Sequence, residues 1–449
     1  MVLVFLCLFL FANCIIFYFL FGKKLLSPSV ITNFVFLFSC IFLLIYSSAL
    51  EFEMDIRTAG LILFANYSIS VGEFIATRIR HKQIIEFKRF DNYRIPSWAF
   101  ALGFAISLIA FLIYLHDVVQ LSIKYYGSAV GFIENAKDLK ISGDYSVSFV
   151  AGQGYLASEV IADIFIFFLL RSIVYDKKLI KNPFLYLTIV VYICNILLTA
   201  TRSGILNIFI FFIVILFVLI YSKKAQDNHD NRKEAFKAIA VMVPLFVGLL
   251  LLFYFAGTLT GKINSYKNVG ENLLNYCGMS VYNLNYYILN SSDAMFVHGD
   301  SFFGIHTLSG PYTFLRSFGF SIPNDIVALE YVQSKLVIGN VFTPIRRYYQ
   351  DFGIVGVFVI SSFLGWLYRF LIDRSIEKPQ TIISIFTAFF IYPLFFWSIE
   401  ERFFMDVLLI IRSMYSMIYF LIFTKIFIMR KNTNMFDDNF VVFERNYHL

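Results

Sequence analysis

Long apolar segments recur along the chain, and they restrict its fold more than any other feature. About eleven of them are long enough, at about 20 residues, to cross a hydrocarbon core about 30 Å thick. They cover residues 2–21, 29–50, 58–77, 97–115, 155–174, 183–200, 204–221, 238–258, 352–371, 381–399 and 405–428. Because lipid cannot satisfy backbone polar groups, such segments span a membrane as helices. The sequence therefore predicts an all-α polytopic integral membrane protein.

Composition supports the same class. Of 449 residues, 59% are hydrophobic and 15% are charged, whereas a soluble protein is about half apolar and about a quarter charged. In a polytopic protein a net charge of +7 reflects cytoplasmic loops, so we expect no nucleic-acid partner. The five cysteines include no C-x-x-C pair, which predicts neither a zinc site nor a disulfide framework. We expect no metal and no cofactor.

The basic loops predict the orientation of the chain. Lysine and arginine collect at residues 23–24, 78–94, 171–181, 223–237, 369–378 and 425–431, all on one side of the predicted spans. The positive-inside rule makes that side cytoplasmic. The N-terminus is then on the outer side of the membrane, the periplasmic side if the protein is in a bacterial inner membrane, and the tail at 429–449 is cytoplasmic.

The spans and loops divide the chain into four parts. Residues 1–258 form a membrane domain of eight helices with a periplasmic loop at about 116–154, and 259–351 form a large, partly helical periplasmic loop. Residues 352–428 supply three further membrane helices before the tail. Within the large loop, the apolar spacing of residues 272–289 predicts an amphipathic helix at the membrane surface, with its asparagines mostly off the apolar face.

Charged residues mark the point where the large loop enters the ninth span. Arg346, Arg347 and Asp351 lie there, and Arg202 opens the seventh span on the same side. Charge at this depth is costly without a partner or a ligand. The planar fork of arginine suits a diphosphate, with which it forms bidentate charged hydrogen bonds. The alternative is that these arginines only anchor helix ends to lipid headgroups.

Four carboxylates near the outer boundary are candidates for a general base: Asp351, Glu400, Glu401 and Asp406. The alternative is pairing of Asp351 with Arg347, and of Glu400 and Asp406 with Arg402. Tyr348 and Tyr349 could stack on sugar rings, although tyrosine is also an ordinary interfacial residue.

Two carboxylates inside the fifth span leave a different function open. Glu159 and Asp163 are four residues apart, on one helix face. Membrane carboxylates usually pair within the bundle, and a structural network with Arg412 is one interpretation. The other is a proton relay, which would indicate a transporter.

Two motifs together resemble the O-antigen polymerases, also called oligosaccharide repeat unit polymerases. They are Thr201-Arg202-Ser203-Gly204 at a helix start and, after a long external loop, Asn340…Arg346-Arg347-Tyr348-Tyr349-x-Asp351-Phe352-Gly353-x-x-Gly356. The resemblance extends to the layout of the whole chain. It implies a GT-C-like glycosyltransferase that joins undecaprenyl-diphosphate-linked repeat units at the periplasmic face of the bacterial inner membrane.

The resemblance also implies roles for individual residues. Arg202, Arg346 and Arg347 would hold the donor diphosphate, and Asp351 would orient them or act as base. The predicted catalytic residues are Asp351, Arg202 and Arg347, and the predicted substrate-binding residues are Arg346, Asn340, Tyr348, Tyr349, His306 and Arg402. The expected partners are the lipid-linked oligosaccharide, the bilayer and a chain-length regulator.

Two other functions remain as alternatives. The related O-antigen ligases carry a histidine just before the penultimate outer helix motif, where this chain has Asn340-Val341-Phe342-Thr343. That difference favours a polymerase over a ligase. A flippase or other transporter of lipid-linked oligosaccharide is the second alternative, for which charges lining a central cavity are expected.

Overall fold

Helices dominate the computed structural model, which describes residues 1–80, 86–87, 93–201, 203–227, 269–293, 296, 302–323, 330–379, 382–430 and 441–442. The helices are α1 (Val2–Leu20), α2 (Pro28–Leu50), α3 (Ile56–Arg80), α4 (Ser97–Tyr126), α5 (Phe132–Ser142), α6 (Phe149–Arg171), α7 (Pro183–Leu198), α8 (Ser203–Asp227), α9 (Val269–Leu273), α10 (Met279–Leu289), α11 (Ser309–Ser317), α12 (Pro344–Glu377), α13 (Ile382–Phe390), α14 (Tyr392–Phe395) and α15 (Ile410–Phe427). Single π-helical turns cover Ser172–Asp176, Leu274–Gly278 and Phe403–Val407.

Strands are short throughout the described residues. They form three antiparallel pairs, which are β1 (Glu86–Phe87) with β6 (Val441–Val442), β2 (Tyr93–Arg94) with β5 (Met429–Arg430), and β3 (Val332–Gln333) with β4 (Ile338–Gly339). Each strand has two residues, so helices carry the fold.

Seven of the described helices are long and apolar enough to cross a membrane: α1, α2, α3, α4, α8, α12 and α15. Two shorter apolar segments, Pro183–Leu198 and Ile383–Phe395, coincide with predicted spans, and α6 coincides with the segment predicted at 155–174. The span predicted at 238–258 lies outside the described residues. In the part of the chain that the structure describes, the protein is a largely helical multi-pass membrane protein, as its apolar segments predict.

The chain divides into two compact units that are not continuous in sequence. The first contains Met1–Gln83, Tyr266–Ile372 and Phe390–Ser413, and the second contains Ile84–Ser265, Asp373–Phe389 and Met414–Leu449. The division into four parts by chain order stays a prediction. The C-terminal spans contribute to both, because helices close in space need not be neighbours in sequence.

Two glycines allow close packing of α3 on α12 in the first unit. A Cβ atom added at Gly72 would lie 1.7 Å from the carbonyl oxygen of Ser362, and one added at Gly365 would lie 2.1 Å from that of Ile69. Lipid provides no hydrophobic force between helices, so membrane helices associate through close van der Waals packing at small residues. Here the backbones meet directly.

A buried carboxylate fixes the start of α2 in the same unit. Glu73 of α3 accepts hydrogen bonds from the Ser27 hydroxyl (2.8 Å) and from the amide and hydroxyl of Ser29 (2.9 and 2.6 Å). Its other oxygen accepts from Arg369 of α12 at 2.8 Å. A carboxylate at a helix N-terminus satisfies amides that have no partner within the helix. Glu73 thus ties α2, α3 and α12 together.

Helix α6 is the buried centre of the second unit. It packs against α4, α7 and α8, and Phe100 of α4 meets Phe165 edge to face. The Tyr192 hydroxyl of α7 donates to Glu159 at 3.1 Å, so this intramembrane carboxylate has a partner. The pairing proposed with Arg412 stays a prediction.

The segment predicted as an amphipathic helix at 272–289 is helical, as the end of α9, a π-helical turn and α10, and two of its asparagines are buried. Asn283 is buried and donates to the carbonyl oxygens of Gly339 and Val341. Asn285 is also buried, accepts from the amide of Asp55 and donates to the carbonyl of Glu53. Two asparagines off the apolar face therefore bond backbone groups, which spacing alone does not indicate, and the location of the helix at the membrane surface stays a prediction.

Candidate functional site

The candidate site surrounds the first turns of α12, in the first unit. The helix begins with Pro344, a residue that suits a first helical position because its missing N–H would be unsatisfied there. Gly353 interrupts it with φ 63° and ψ −158°, a conformation open essentially to glycine alone. The short segment before Gly353 therefore forms a helical piece of its own, and it carries the charged residues of the predicted motif.

Arg347 and Asp351 bind the same residue of the loop that precedes α11. The Arg347 guanidinium is 3% exposed and donates to the carbonyl oxygen of His306 at 2.6 Å. Asp351 accepts from the amide of His306 at 3.4 Å and from that of Thr307 at 2.6 Å. The three residues predicted for catalysis and binding at 306, 347 and 351 therefore meet in one cluster, here called the His306 clamp.

Arg346 points to a different environment. It is fully buried and forms an ion pair with Glu330. Its guanidinium carbon lies 3.9 Å from the ring centroid of Phe342, and 4.8 Å from those of Tyr287 and Phe296. A desolvated cation among aromatic faces gains cation–π energy. In this conformation Arg346 is enclosed by protein groups, contrary to the expectation that it faces a diphosphate.

Tyr348 belongs to the protein core. Its side chain is fully buried, its ring lies against Trp397 and Phe404, and its hydroxyl donates to Glu401 at 3.2 Å. An enclosed ring cannot stack on a sugar, so the predicted binding role is incompatible with this arrangement. Tyr349, the next residue, is 37% exposed and keeps an accessible ring.

Glu401 organises the turn between α14 and α15. Its carboxylate is 1% exposed and accepts from the amides of Phe403, Phe404 and Met405, each at 2.9 Å. Burial raises the pKa of Glu401 to about 7, although those amides and the charge of Arg347 favour the ionised form. A carboxyl group with such a pKa can exchange a proton near neutral pH.

The neighbouring charges of this turn pair with one another. Arg402 contacts Glu400 at 2.6 Å and Asp406 at 2.9 Å. This is the local pairing considered as the alternative to a base role for these two carboxylates. Asn340 is half-buried, directly after β4. Arg202 lies outside the described residues.

Sequence reasoning missed the partners of Arg346. Glu330, Tyr287 and Phe296 lie between 16 and 59 positions upstream, in different parts of the large loop. Of the aromatic residues around Arg346, Phe342 alone is near it in sequence, four residues before the arginine. Patterns within one helix cannot indicate such distant contacts.

Comparison with known proteins adds no relative: no family model, no curated protein and no solved structure matches the chain.

The clamp holds a buried cation, Arg347, near a carboxyl group, Glu401, that can exchange a proton. The guanidinium group of Arg347 is permanently charged and planar, and such a group can bind phosphate oxygens through two parallel hydrogen bonds. The positive charge of Arg347 acts to lower the pKa of the Glu401 carboxyl group. Tyr349 adds an accessible aromatic face at the same helix end.

Proposed function

We propose that the chain is a periplasmic-face polymerase of undecaprenyl-diphosphate-linked oligosaccharide repeat units, in the synthesis of O-antigen or a capsule-like surface polysaccharide. The reaction transfers the growing glycan from its lipid diphosphate to a hydroxyl of an incoming unit. The bond from the sugar to the diphosphate breaks, a glycosidic bond forms, and the lipid diphosphate leaves as an anion.

The observation that supports this proposal best is the position of Arg347. A buried guanidinium stands on the short helical piece before Gly353, directly ahead of the long apolar part of α12, where a lipid-borne diphosphate would arrive. Fixed cations placed where charge develops on a leaving group stabilise the transition state. Asp351 serves as a positioning residue, because its bonds to His306 and Thr307 hold the loop that Arg347 also contacts.

The roles of the three arginines differ in this proposal. Arg347 is the diphosphate ligand in the described part of the chain, and Arg202 remains assigned to the diphosphate by the resemblance alone. Arg346 has Glu330 and an aromatic cage as its surroundings. It therefore supports the shape of the site and does not itself bind the donor.

A glycan gel of a deletion strain tests the proposal. Loss of a polymerase leaves single repeat units that are still capped onto their acceptor. A flippase defect instead accumulates lipid-linked units on the inner leaflet, and a ligase defect leaves polymer that is not attached to its acceptor. Either of those two patterns would overturn the polymerase assignment.

Variants in the complemented strain sharpen the test. Arg347→Ala should abolish the long-chain ladder at normal protein level. Arg316→Ala is the matched control, because the side chain of Arg316 on α11 donates to Pro323 and Thr313 and not to His306 or Asp351. Its ladder should stay as in the wild type. An intact ladder with Arg347→Ala, at equal immunoblot intensity, contradicts the proposed role of Arg347.

A further inference from the structure

Two cysteine thiols meet between the first two helices. Cys7 on α1 and Cys40 on α2 are neighbouring side chains, and both cysteines are free. The residues are far apart in sequence and fit no cysteine motif, so spacing alone gave no sign of the pair.

Independent contacts give the same register for these helices. Asn13 donates to the side chain of Asn33 at 3.4 Å, and the Cys14 thiol lies 4.0 Å from the carbonyl oxygen of Val30. Cys7 lies seven residues before Cys14, and Cys40 lies seven residues after Asn33. Seven residues are about two helical turns, so both cysteines lie on the faces that meet, at the same level of this antiparallel pair. The thiol contact therefore follows from the packing of the whole helix pair.

The surroundings of the pair determine which oxidants can reach it. Cys40 is fully buried, whereas Cys7 is half-buried on a helix whose neighbouring Val4, Phe5 and Leu8 are exposed apolar side chains. In a membrane protein such a face meets lipid. Access is then from the hydrocarbon side, which favours a lipid-soluble oxidant over a water-soluble disulfide.

We infer that Cys7 and Cys40 are a thiol modification site, at which a lipid-soluble two-electron oxidant of the quinone class joins α1 to α2 by a disulfide. Two S–H bonds break and one S–S bond forms, and the oxidant takes up two electrons and two protons to become a quinol. The inference is independent of the proposed polymerase activity. It gives the first helix, which is largely exposed along its length, a reversible covalent attachment to α2.

Limited oxidation of the full-length protein in lipid nanodiscs tests the inference. The probe is a lipid-soluble quinone, and copper–phenanthroline with oxygen serves as a stronger oxidant. Trypsin can cleave between the helices at Lys23 and Lys24, and the next tryptic site after Cys40 is Arg57. After oxidation, the peptide ending at Lys23 should stay joined to the peptide containing Cys40. Reduction should separate them, and mass spectrometry should show the loss of two hydrogen atoms.

Matched variants make the result specific. Cys7→Ser and Cys40→Ser should each abolish the linked peptide, whereas Cys14→Ser should leave it unchanged, because Cys14 has a carbonyl and not a thiol as its neighbour. A positive control places cysteines at Asn13 and Asn33 in a Cys7→Ser, Cys40→Ser background.

Each outcome decides the question. A native cross-link with either oxidant supports the thiol pair, and a cross-link with quinone supports the class of oxidant. If the Asn13–Asn33 control links and the native pair does not, the inferred site is wrong. If neither pair links, the α1–α2 register on which the inference rests is wrong.

Discussion

Arg347 and Asp351, one turn apart on α12, hold opposite ends of the same loop residue. The arginine donates to the carbonyl oxygen of His306, and the aspartate accepts from its amide. A helix thereby fixes the path of a loop through its backbone, whatever side chain that loop carries. If a diphosphate binds Arg347, it must share this guanidinium with His306, so the position of the loop and ligand binding are coupled.

Asp351→Asn should weaken the attachment of the loop at His306 and Thr307 to α12 without changing the size of the side chain. An amide has one acceptor oxygen, so one of the amides of His306 and Thr307 would face an NH₂ group and lose its bond. An unsatisfied buried amide costs about 1–3 kcal/mol. Hydrogen exchange of the peptide covering 302–308 should therefore accelerate by about tenfold or more.

Asp138→Asn is the control for that experiment, because Asp138 is an exposed residue of α5. It should leave exchange of 302–308 unchanged. Exchange in Asp351→Asn equal to the wild type would mean that the aspartate does not hold the loop.

Removing one partner of the Arg346–Glu330 pair should destabilise the protein strongly. Arg346→Met leaves the carboxylate of Glu330 buried without its cation, and breaking a buried pair in this way costs about 3–5 kcal/mol. Replacement of both partners, as in Arg346→Met with Glu330→Leu, is often close to neutral. We expect a low thermal midpoint for the single variant and recovery in the double variant.

The glycan ladder of the double variant distinguishes a structural role of Arg346 from a role in binding the ligand. If Arg346 supports only the shape of the site, the stable double variant should restore the long-chain ladder. A stable double variant that makes no polymer would instead assign Arg346 to the substrate, as the resemblance implies.

Sequence reasoning worked best where the information is local. The apolar segments predicted the helices, and the adjacency of Glu400, Arg402 and Asp406 correctly suggested their pairing. It failed where a side chain contacts a segment that is distant in sequence. The side-chain amide of Asn283 donates to the backbone in β4 and just after it, and the guanidinium of Arg346 lies over the ring of Tyr287. Such contacts arise from tertiary packing, which hydrophobic periodicity does not encode.

Glu401 should make stability depend on pH near neutrality. Burial raises the pKa of its carboxyl from 4.5 to about 7 in the folded protein. The folded state therefore binds the proton more tightly than the unfolded state. The resulting stabilisation is fully present below about pH 4.5 and is lost as the pH rises through about 7, by about 3 kcal/mol in all.

Thermal unfolding in detergent between pH 5 and pH 8 measures that slope. Glu401→Gln should remove it, whatever its constant effect on stability, because the titrating group is absent. Glu400→Gln is the matched control and should keep the wild-type slope, since Glu401 is still present. An unchanged slope in Glu401→Gln would assign the pH dependence to another group.

Gly72 and Gly365 should be the least replaceable glycines of the α3–α12 contact. A methyl group at Gly72 would lie 1.7 Å from a backbone oxygen of α12, and one at Gly365 would lie 2.1 Å from a backbone oxygen of α3. Backbone cannot move aside as a side chain can, so Gly72→Ala and Gly365→Ala must push the helices apart. Overpacking of this kind costs about 1–3 kcal/mol or more, which should lower the thermal midpoint of each variant.

Gly60 provides the matched control on the same helix. A Cβ atom added there meets nothing within 4 Å, and alanine is a better helix former than glycine by about 1 kcal/mol. Gly60→Ala should therefore keep or raise the midpoint while Gly72→Ala lowers it. Equal midpoints for the two variants would show that α3 and α12 do not meet through their backbones at Gly72, and that the helix pair carrying Glu73 and Arg369 is packed differently.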